Sequence, residues 1–256
     1  MTTTLVISDL HLDPEHPEAY ARVRTLLARE SFDQLWILGD LFEAWVGDDG
    51  ADAPDLALAD FFRTQPYPIF WIPGNRDFLV GEHFRQTCGW NELTPIQRLN
   101  CGLTVLVRHG DEWCTEDRAY QAFRQDVRSS TWQATFLAQP LSHRRKIAKQ
   151  MRQESQRSQA AASATILDVS EQAIEIEALA CGAQLVVHGH THRPQLHRLA
   201  HYVRAVTSDW HESVTVLRLI DTADACRVEQ VLCHADLHSI QATATWRLGA
   251  PEWNLN

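Results

Sequence analysis

Five short polar clusters hold most of the residues that could do chemistry: Ser8-Asp9-Leu10-His11, Gly39-Asp40, Gly74-Asn75-Arg76-Asp77, His109-Gly110-Asp111 and Gly189-His190-Thr191-His192. Within them Asp9, His11, Asp40, Asn75, His109, His190 and His192 offer carboxylate and amide oxygens and imidazole nitrogens, with no thiolate. Such a set suits Mn2+, Fe2+ or Zn2+ in a catalytic role and disfavours a structural zinc knot, which is rich in cysteine. With one carboxylate bridging, seven side chains give each of two ions four protein ligands and leave positions for water and substrate. Two ions about 3.5–4 Å apart clamp the attacking and leaving oxygens of an in-line displacement at phosphorus. The expected cofactor is therefore a pair of divalent metal ions, Mn2+ foremost.

The elements that must position these clusters are legible as short apolar runs. Leu5-Val6-Ile7, Leu35-Trp36-Ile37-Leu38, Ile69-Phe70-Trp71-Ile72, Leu103 to Val107 and Leu185-Val186-Val187 read as buried strands, each followed at once by one cluster. Ligands of open α/β sheets bind beyond the carboxyl ends of strands, so residues spread over the sequence can meet there. Helical spacing over 17–30 (Tyr20, Val23, Leu26, Leu27) and 55–63 (Leu56, Leu58, Phe61, Phe62) gives a strand–helix–strand order. After Pro194 the runs Tyr202 to Val206, Val214 to Leu219, Val228 to Leu232 and Thr243 to Arg247 predict a second, largely antiparallel sheet. Segment 118–162 breaks the rhythm with two predicted helices separated at Pro140, a helical insertion or lid.

Composition narrows the class. A chain of 256 residues with 45% hydrophobic residues can bury a large core. Its net charge of −10 argues against a general nucleic-acid binder. Segment 118–162 runs against that balance, with nine Lys or Arg against only Asp126 and Glu154. The six cysteines form no C-x-x-C pair and read as reduced, buried thiols. The N-terminus lacks the basic start and apolar stretch of a signal peptide, and no run reaches a membrane span, so a cytoplasmic location is expected.

In order and spacing, Asp9-x-His11, Gly39-Asp40, Gly74-Asn75, His109 and Gly189-His190-x-His192 resemble the calcineurin-like metallophosphoesterase signature. The resemblance implies an α/β fold: a four-layer αββα sandwich of two mixed β-sheets flanked by helices, one domain over 1–256 with the lid at 118–162. It assigns Asp9, His11, Asp40 and His192 to one metal and Asp40, Asn75, His109 and His190 to the other. Asp40, Asn75, Arg76 and His190 form the implied catalytic group. Where the generic class has His after Gly-Asn, this chain has Arg76. A guanidinium binds phosphate bidentately but cannot shuttle protons near neutral pH, which favours a leaving group needing little protonation, such as a phosphate.

Longer runs, among them Gly39 to Asp49, Cys114-Thr115-Glu116-Asp117 and Gly189 to Pro194, are similar to the UDP-2,3-diacylglucosamine pyrophosphatase family of lipid A biosynthesis. That family hydrolyses UDP-2,3-diacylglucosamine to UMP and 2,3-diacylglucosamine 1-phosphate. The similarity implies substrate contacts at Asn75, Arg76, Asp117, Ser155 and His190. Gln159 and Ala162 stand where the family commonly shows Asn and Lys, which keeps a pyrophosphatase or phosphodiesterase of a soluble nucleotide open as an alternative. Phe123, Val127, Trp132, Phe136, Leu137, Leu141, Ile147 and Met151 are candidates to line an acyl cleft. Arg144, Arg145, Lys146, Lys149 and Arg152 are candidates to face anionic headgroups. The expected partners are a UDP-linked glycolipid and, peripherally, the cytoplasmic face of the inner membrane, with no nucleic acid and no obligate protein partner.

Overall fold

Strand β1 (Thr2–Ile7) sends Leu5 and Ile7 to one buried face and Val6 to the other, and β2 (Gln34–Leu38) divides Leu35 and Ile37 from Trp36 and Leu38 in the same way. Successive side chains of a strand leave opposite faces, so a sheet whose strands are apolar at every position is covered on both sides. The computed structural model describes residues 1–161, 168–210, 213–234, 237–249 and 253–255.

The chain continues with β3 (Ile69–Ile72), β4 (Trp90–Glu92), β5 (Ile96–Arg98), β6 (Thr104–Val107), β7 (Leu185–His188), β8 (Leu196–Arg198) and β9 (Val203–Val206). A meander of β10 (Ser213–Asp221), β11 (Ala225–His234), β12 (Leu237–Arg247) and β13 (Asn254–Leu255) ends it. The large sheet has the order β13-β12-β11-β10-β1-β2-β3-β4, and the small one β5-β6-β7-β9-β8. Both are mixed: β1 to β4 run parallel while β10 pairs antiparallel to β1, and β6, β7 and β9 run parallel between antiparallel edges.

Helices α1 (Pro17–Arg29), α2 (Ala53–Arg63) and α3 (Glu82–Cys88) accompany the outer face of the large sheet, where Val23, Leu27, Leu58, Phe62 and Phe84 join one core with Leu5 and Ile37. Val6, Trp36, Val105, Val107, Leu185, Val187, Leu217 and Leu219 form a second core from residues of both sheets. On the far side Leu106 and Val186 meet Ile174 and Ala178 of α7 (Glu171–Cys181). Helix, sheet, sheet, helix is the expected four-layer arrangement. All six cysteines are free and five are buried.

Two expectations need correction. The strands after Pro194 do not make a second antiparallel sheet of their own. β10 to β13 extend the first sheet, because β1 leaves its free edge to β10, while β9 joins β6 and β7 in parallel. Segment 118–162 has three helices among its described residues rather than two: α4 (Arg118–Val127), α5 (Ser130–Leu137) and α6 (Leu141–Ala161). Pro140 stands immediately before α6, and the break that the sequence reading missed falls at Ser129, whose hydroxyl accepts the Trp132 N–H and caps α5.

Candidate metal centre

The clusters lie where parallel strands end. Beyond β1 and β2 the backbone pairing continues, with Asp9 N–H donating to Gly39 O (3.1 Å), His11 N–H to Asp40 O (3.0 Å) and Leu12 N–H to Leu41 O (2.9 Å). In the small sheet Gly189 N–H donates to His109 O (2.9 Å). Four donor residues come from the large sheet (Asp9, His11, Asp40, Asn75) and three from the small one (His109, His190, His192), so the site straddles the seam between them.

Five of those seven residues hold left-handed backbone: Asp9 (φ 55°), His11 (48°), Asp40 (51°), His190 (64°) and His192 (55°). None is glycine, and each such conformation costs on the order of 1–3 kcal/mol. The strain sharpens each turn so that consecutive side chains aim into one centre. Close approach of the loops explains Gly74 and Gly189: a Cβ on the first would overlap the Asp40 carboxylate, and one on the second would overlap Asp9 and Ser8.

The donors form two adjoining groups. In one, His192 Nε2 lies 3.3 Å from Asp9 Oδ1 and 3.4 Å from His11 Nε2. In the other, Asn75 Oδ1 lies 3.0 Å from His109 Nε2 and 2.9 Å from His190 Nδ1, with Asp40 Oδ2 3.6 Å from His109 Nε2. Ring orientation is fixed from behind. His109 Nδ1 donates to Leu38 O (2.8 Å), which leaves Nε2 to present a lone pair, and His192 Nδ1 faces Asp209 Oδ2 (3.3 Å). Arg76 N–H and His190 N–H hold Asp40 Oδ1 (2.8 Å) and Asp9 Oδ2 (2.9 Å).

The electrostatics are those of a site built for cations. Burial disfavours a charged His109, yet the Asp40 and Asp9 carboxylates outweigh it and push the ring up to about 9. Burial is likewise outweighed at His192, where the flanking Asp209 and Asp9 carboxylates carry it up to about 10. His190 is pulled down to about 4 by burial and by His109. Asp9 Oδ1 is buried without a hydrogen-bond donor. An orphaned carboxylate oxygen beside imidazole nitrogens fits a divalent metal ion.

All seven residues expected as metal ligands thus lie together. Arg76 follows Asn75, and its buried Nε has no hydrogen-bond partner among the described residues. It is not spent on Asp77, which is fully buried and accepts Gly74 N–H (2.7 Å) and Leu41 N–H (2.8 Å) to shape the loop. Asp117 caps α4 by accepting Tyr120 N–H (2.9 Å). Ser155 is half-buried on α6; Gln159 also lies on that helix, its side chain outside the described residues, as is all of Ala162.

Sequence reasoning missed two residues that stand against the donors: Glu43 at His11 Nδ1 (3.4 Å) and Asp209 at His192. Asp111 accepts Tyr120 OH (2.7 Å) and Arg124 Nε (2.7 Å) from α4. Asp209 carried a usable signal. Thr207-Ser208-Asp209 directly follows β9, a sixth strand-end cluster hidden by assigning that strand to the wrong sheet.

Helices α4 and α6 are bound to these loops. Arg128 donates to Gly74 O (2.8 Å) and lies over the Phe78 ring, Arg144 binds Val46 O and Asp49, and Arg152 pairs with Glu43. Most apolar side chains of the segment pack inward: Val127 and Phe136 are buried, and Trp132, Leu141 and Ile147 lie against the main core. Met151 is half-buried, leaving Phe123 and Leu137 exposed. Of the five basic residues expected at headgroups, Arg144, Arg145 and Arg152 are engaged by Asp49, Asp52 and Glu43, while Lys146 and Lys149 are exposed. Beside the centre a cavity of about 400 Å³ is lined by Pro73, Phe78, His109, Asp111, Arg124 and Arg128 among others.

Two sheets meeting at strand-end loops that carry Asp-x-His, Gly-Asp, Gly-Asn, His and Gly-His-x-His define a metallophosphoesterase. The profile of that family, described as calcineurin-like phosphoesterase, matches residues 2–194, and the chain belongs to it. Within the family it is similar to the UDP-2,3-diacylglucosamine hydrolase of Xanthomonas axonopodis pv. citri (strain 306), with 42% identity over 247 residues, covering 90% of this chain and 99% of the relative. The UDP-2,3-diacylglucosamine hydrolase of Serratia proteamaculans (strain 568) is 40% identical over 237 residues, covering 89% and 98%. Among solved structures, Vacuolar Protein Sorting 29 from Cryptosporidium parvum shares the fold at a TM-score of 0.50 and 9% identity, over 96% of this chain and 98% of that one. Vps29 of Chaetomium thermophilum does so at 0.50 and 11%, over 97% and 98%.

Proposed function

We propose that the chain hydrolyses the pyrophosphate of UDP-2,3-diacylglucosamine, releasing UMP and 2,3-diacylglucosamine 1-phosphate. The observation that carries this reading is the tie between lid and metal loops: Arg128 on Gly74 O, Arg144 on Val46 O and Arg152 on Glu43 join the helices to the loops bearing Asn75 and Asp40. The high identity to hydrolases named for that substrate supports it.

Two divalent ions, Mn2+ foremost, held by Asp9, His11, Asp40 and His192 and by Asp40, Asn75, His109 and His190, would supply an activated water and neutralise charge at phosphorus. The remaining work falls to the chain itself. Arg76 offers a fixed positive charge and a planar fork to the diphosphate, stabilising charge as the phosphorus–oxygen bond breaks. Having no titratable proton near neutral pH, it requires a leaving phosphate that departs as an anion. Asn75 and His190 stand beside it, Asp117 and Ser155 offer polar groups from the lid, and Gln159 occupies the same helix.

Residues 118–162 act as the lid, with exposed Phe123 and Leu137 offering apolar surface and Lys146 and Lys149 positive charge toward the inner membrane. A second reading, a soluble nucleotide substrate, is favoured by the inward packing of the other lid side chains. UMP release from the diacyl substrate, measured beside a UDP-sugar without acyl chains, separates the two. Strong preference for the diacyl substrate is expected; comparable efficiency on both would move the soluble reading to the front.

A further inference from the structure

On the face of the large sheet that packs against α1, three side chains of different donor chemistry meet, none of them among the strand-end residues above. Cys233 of β11 and His238 of β12 are directly opposite in the antiparallel register. Such pairs leave the same face with Cβ atoms about 4.5–5.5 Å apart. Glu30, the residue that ends α1, reaches the same point: its Oε1 lies 2.7 Å from His238 Nδ1, and its side chain is only 3% exposed. The sulfur, a ring nitrogen and a carboxylate oxygen all fall within 4.8 Å of one another.

A buried carboxylate needs a positive partner. Arg218 is the nearby cation, yet it stands 3.8 Å from Glu30 Oε2 while Glu229 takes its other nitrogen at 3.0 Å. Glu30 thus has Arg218 at the edge of ion-pair distance on one oxygen and His238 closer on the other, and His238 is one-third exposed and opens the cluster to solvent. Cys233 is buried, free of any disulfide, and faces that carboxylate.

We propose that Glu30, Cys233 and His238 form a second kind of metal site, selective for a thiophilic divalent cation such as Zn2+, with solvent completing the coordination. Thiolate, imidazole and carboxylate together are zinc donors, whereas Mn2+ prefers oxygen-rich surroundings. Selectivity would thus differ between this site and the thiolate-free centre at the strand ends. Binding releases the proton of the Cys233 thiol, pushed up to about 11 by burial and by Glu30, and a second from the His238 ring where it is charged in its pair with Glu30, both passing to solvent as the metal–sulfur and metal–nitrogen bonds form. The ion would clip the β11–β12 hairpin to the end of α1.

The alternative is a plain ion pair between Glu30 and protonated His238, and a spectroscopic test divides them. Metal-stripped full-length protein is titrated with Co2+, which gives a near-ultraviolet thiolate-to-metal charge-transfer band only when sulfur binds. The band is expected in the wild type and in Asp40→Ala, to be displaced by Zn2+ but not by Mn2+, and to vanish in Cys233→Ser. Glu30→Gln should weaken the Co2+ affinity at least about tenfold. Cys233→Ser should keep its Mn2+-supported activity, which verifies folding; if it does not fold, His238→Gln on the exposed side serves instead. Absence of the band in the wild type, or its survival in Cys233→Ser, overturns the site.

Discussion

The Asp209 carboxylate holds His192 by its Nδ1 edge at 3.3 Å, so that Nε2 is turned toward Asp9 and His11. A carboxylate behind a ligating imidazole fixes its tautomer and raises its basicity, and losing it commonly costs about 10- to 100-fold in metal affinity. Asp209→Asn should weaken binding of the ion shared by Asp9, His11 and His192 by that factor, read by calorimetry on the metal-stripped protein. An unchanged affinity would reduce Asp209 to a bystander.

Asp40 is buried, receives the Arg76 N–H at 2.8 Å, and lies between the two donor groups. Asp40→Ala should abolish turnover and sharply reduce bound metal. Because Asp40 helps to raise its neighbour Asp77, itself pushed up to about 6 by burial first and Asp40 second, removing this charge relieves repulsion. The variant also loses the Arg76 N–H hydrogen bond and the attraction to His109, so metal-free Asp40→Ala is expected to stay folded and to unfold close to the metal-free wild type. Wild-type turnover that survives exhaustive chelation would refute the two-metal assignment outright.

How much of this was legible in the sequence follows from locality. The donors of Asp9-x-His11 and His190-x-His192 announce themselves because ligand types, glycines and preceding apolar runs are adjacent in the chain. What a residue pattern does not encode is which strand lies beside which. β10 reads as the start of a new sheet, yet the free edge of β1 claims it, and β9 reads as its companion although β7 claims that strand. Asp209 was lost with that misassignment. The left-handed turns at Asp9, His11, Asp40, His190 and His192 are equally silent, since no residue there is glycine. The lid's amphipathic spacing was visible, but the pattern of apolar residues looks the same whether they face a ligand or, like Phe136, the core.

Arg76 is expected to act on the reaction rather than on the fold, since Asp77 already takes the loop's N–H groups and leaves the guanidinium unneeded there. Arg76→Lys keeps the charge but loses the fork. Turnover should fall by at least about tenfold, on the order of 1.4 kcal/mol, with metal content unchanged. A wild-type rate would return Arg76 to a structural role.

Arg144 anchors α6. Its side chain is 3% exposed and donates to Val46 O, Gln139 O (2.9 Å) and Asp49 Oδ1 (2.8 Å), linking α6 to the loop that follows Asp40. Arg144→Met would leave the buried Val46 carbonyl unpaired, at a cost of about 2 kcal/mol. The predicted result is faster hydrogen exchange through α6 and a raised KM for a large substrate, with metal binding intact. The pH dependence of this anchor has a definite sign. The hydrogen bond from Arg144 holds Asp49 below its ordinary 3.8, so the stabilisation is complete above that value and disappears only as pH falls through the lowered one. Exchange through α6 should therefore show no pH-dependent loosening from about pH 5 upward once intrinsic exchange rates are divided out, and loosen only in strong acid. Protection of α6 that is equal in wild type and Arg144→Met would mean that Arg144 is not what holds the helix against the loop that follows Asp40.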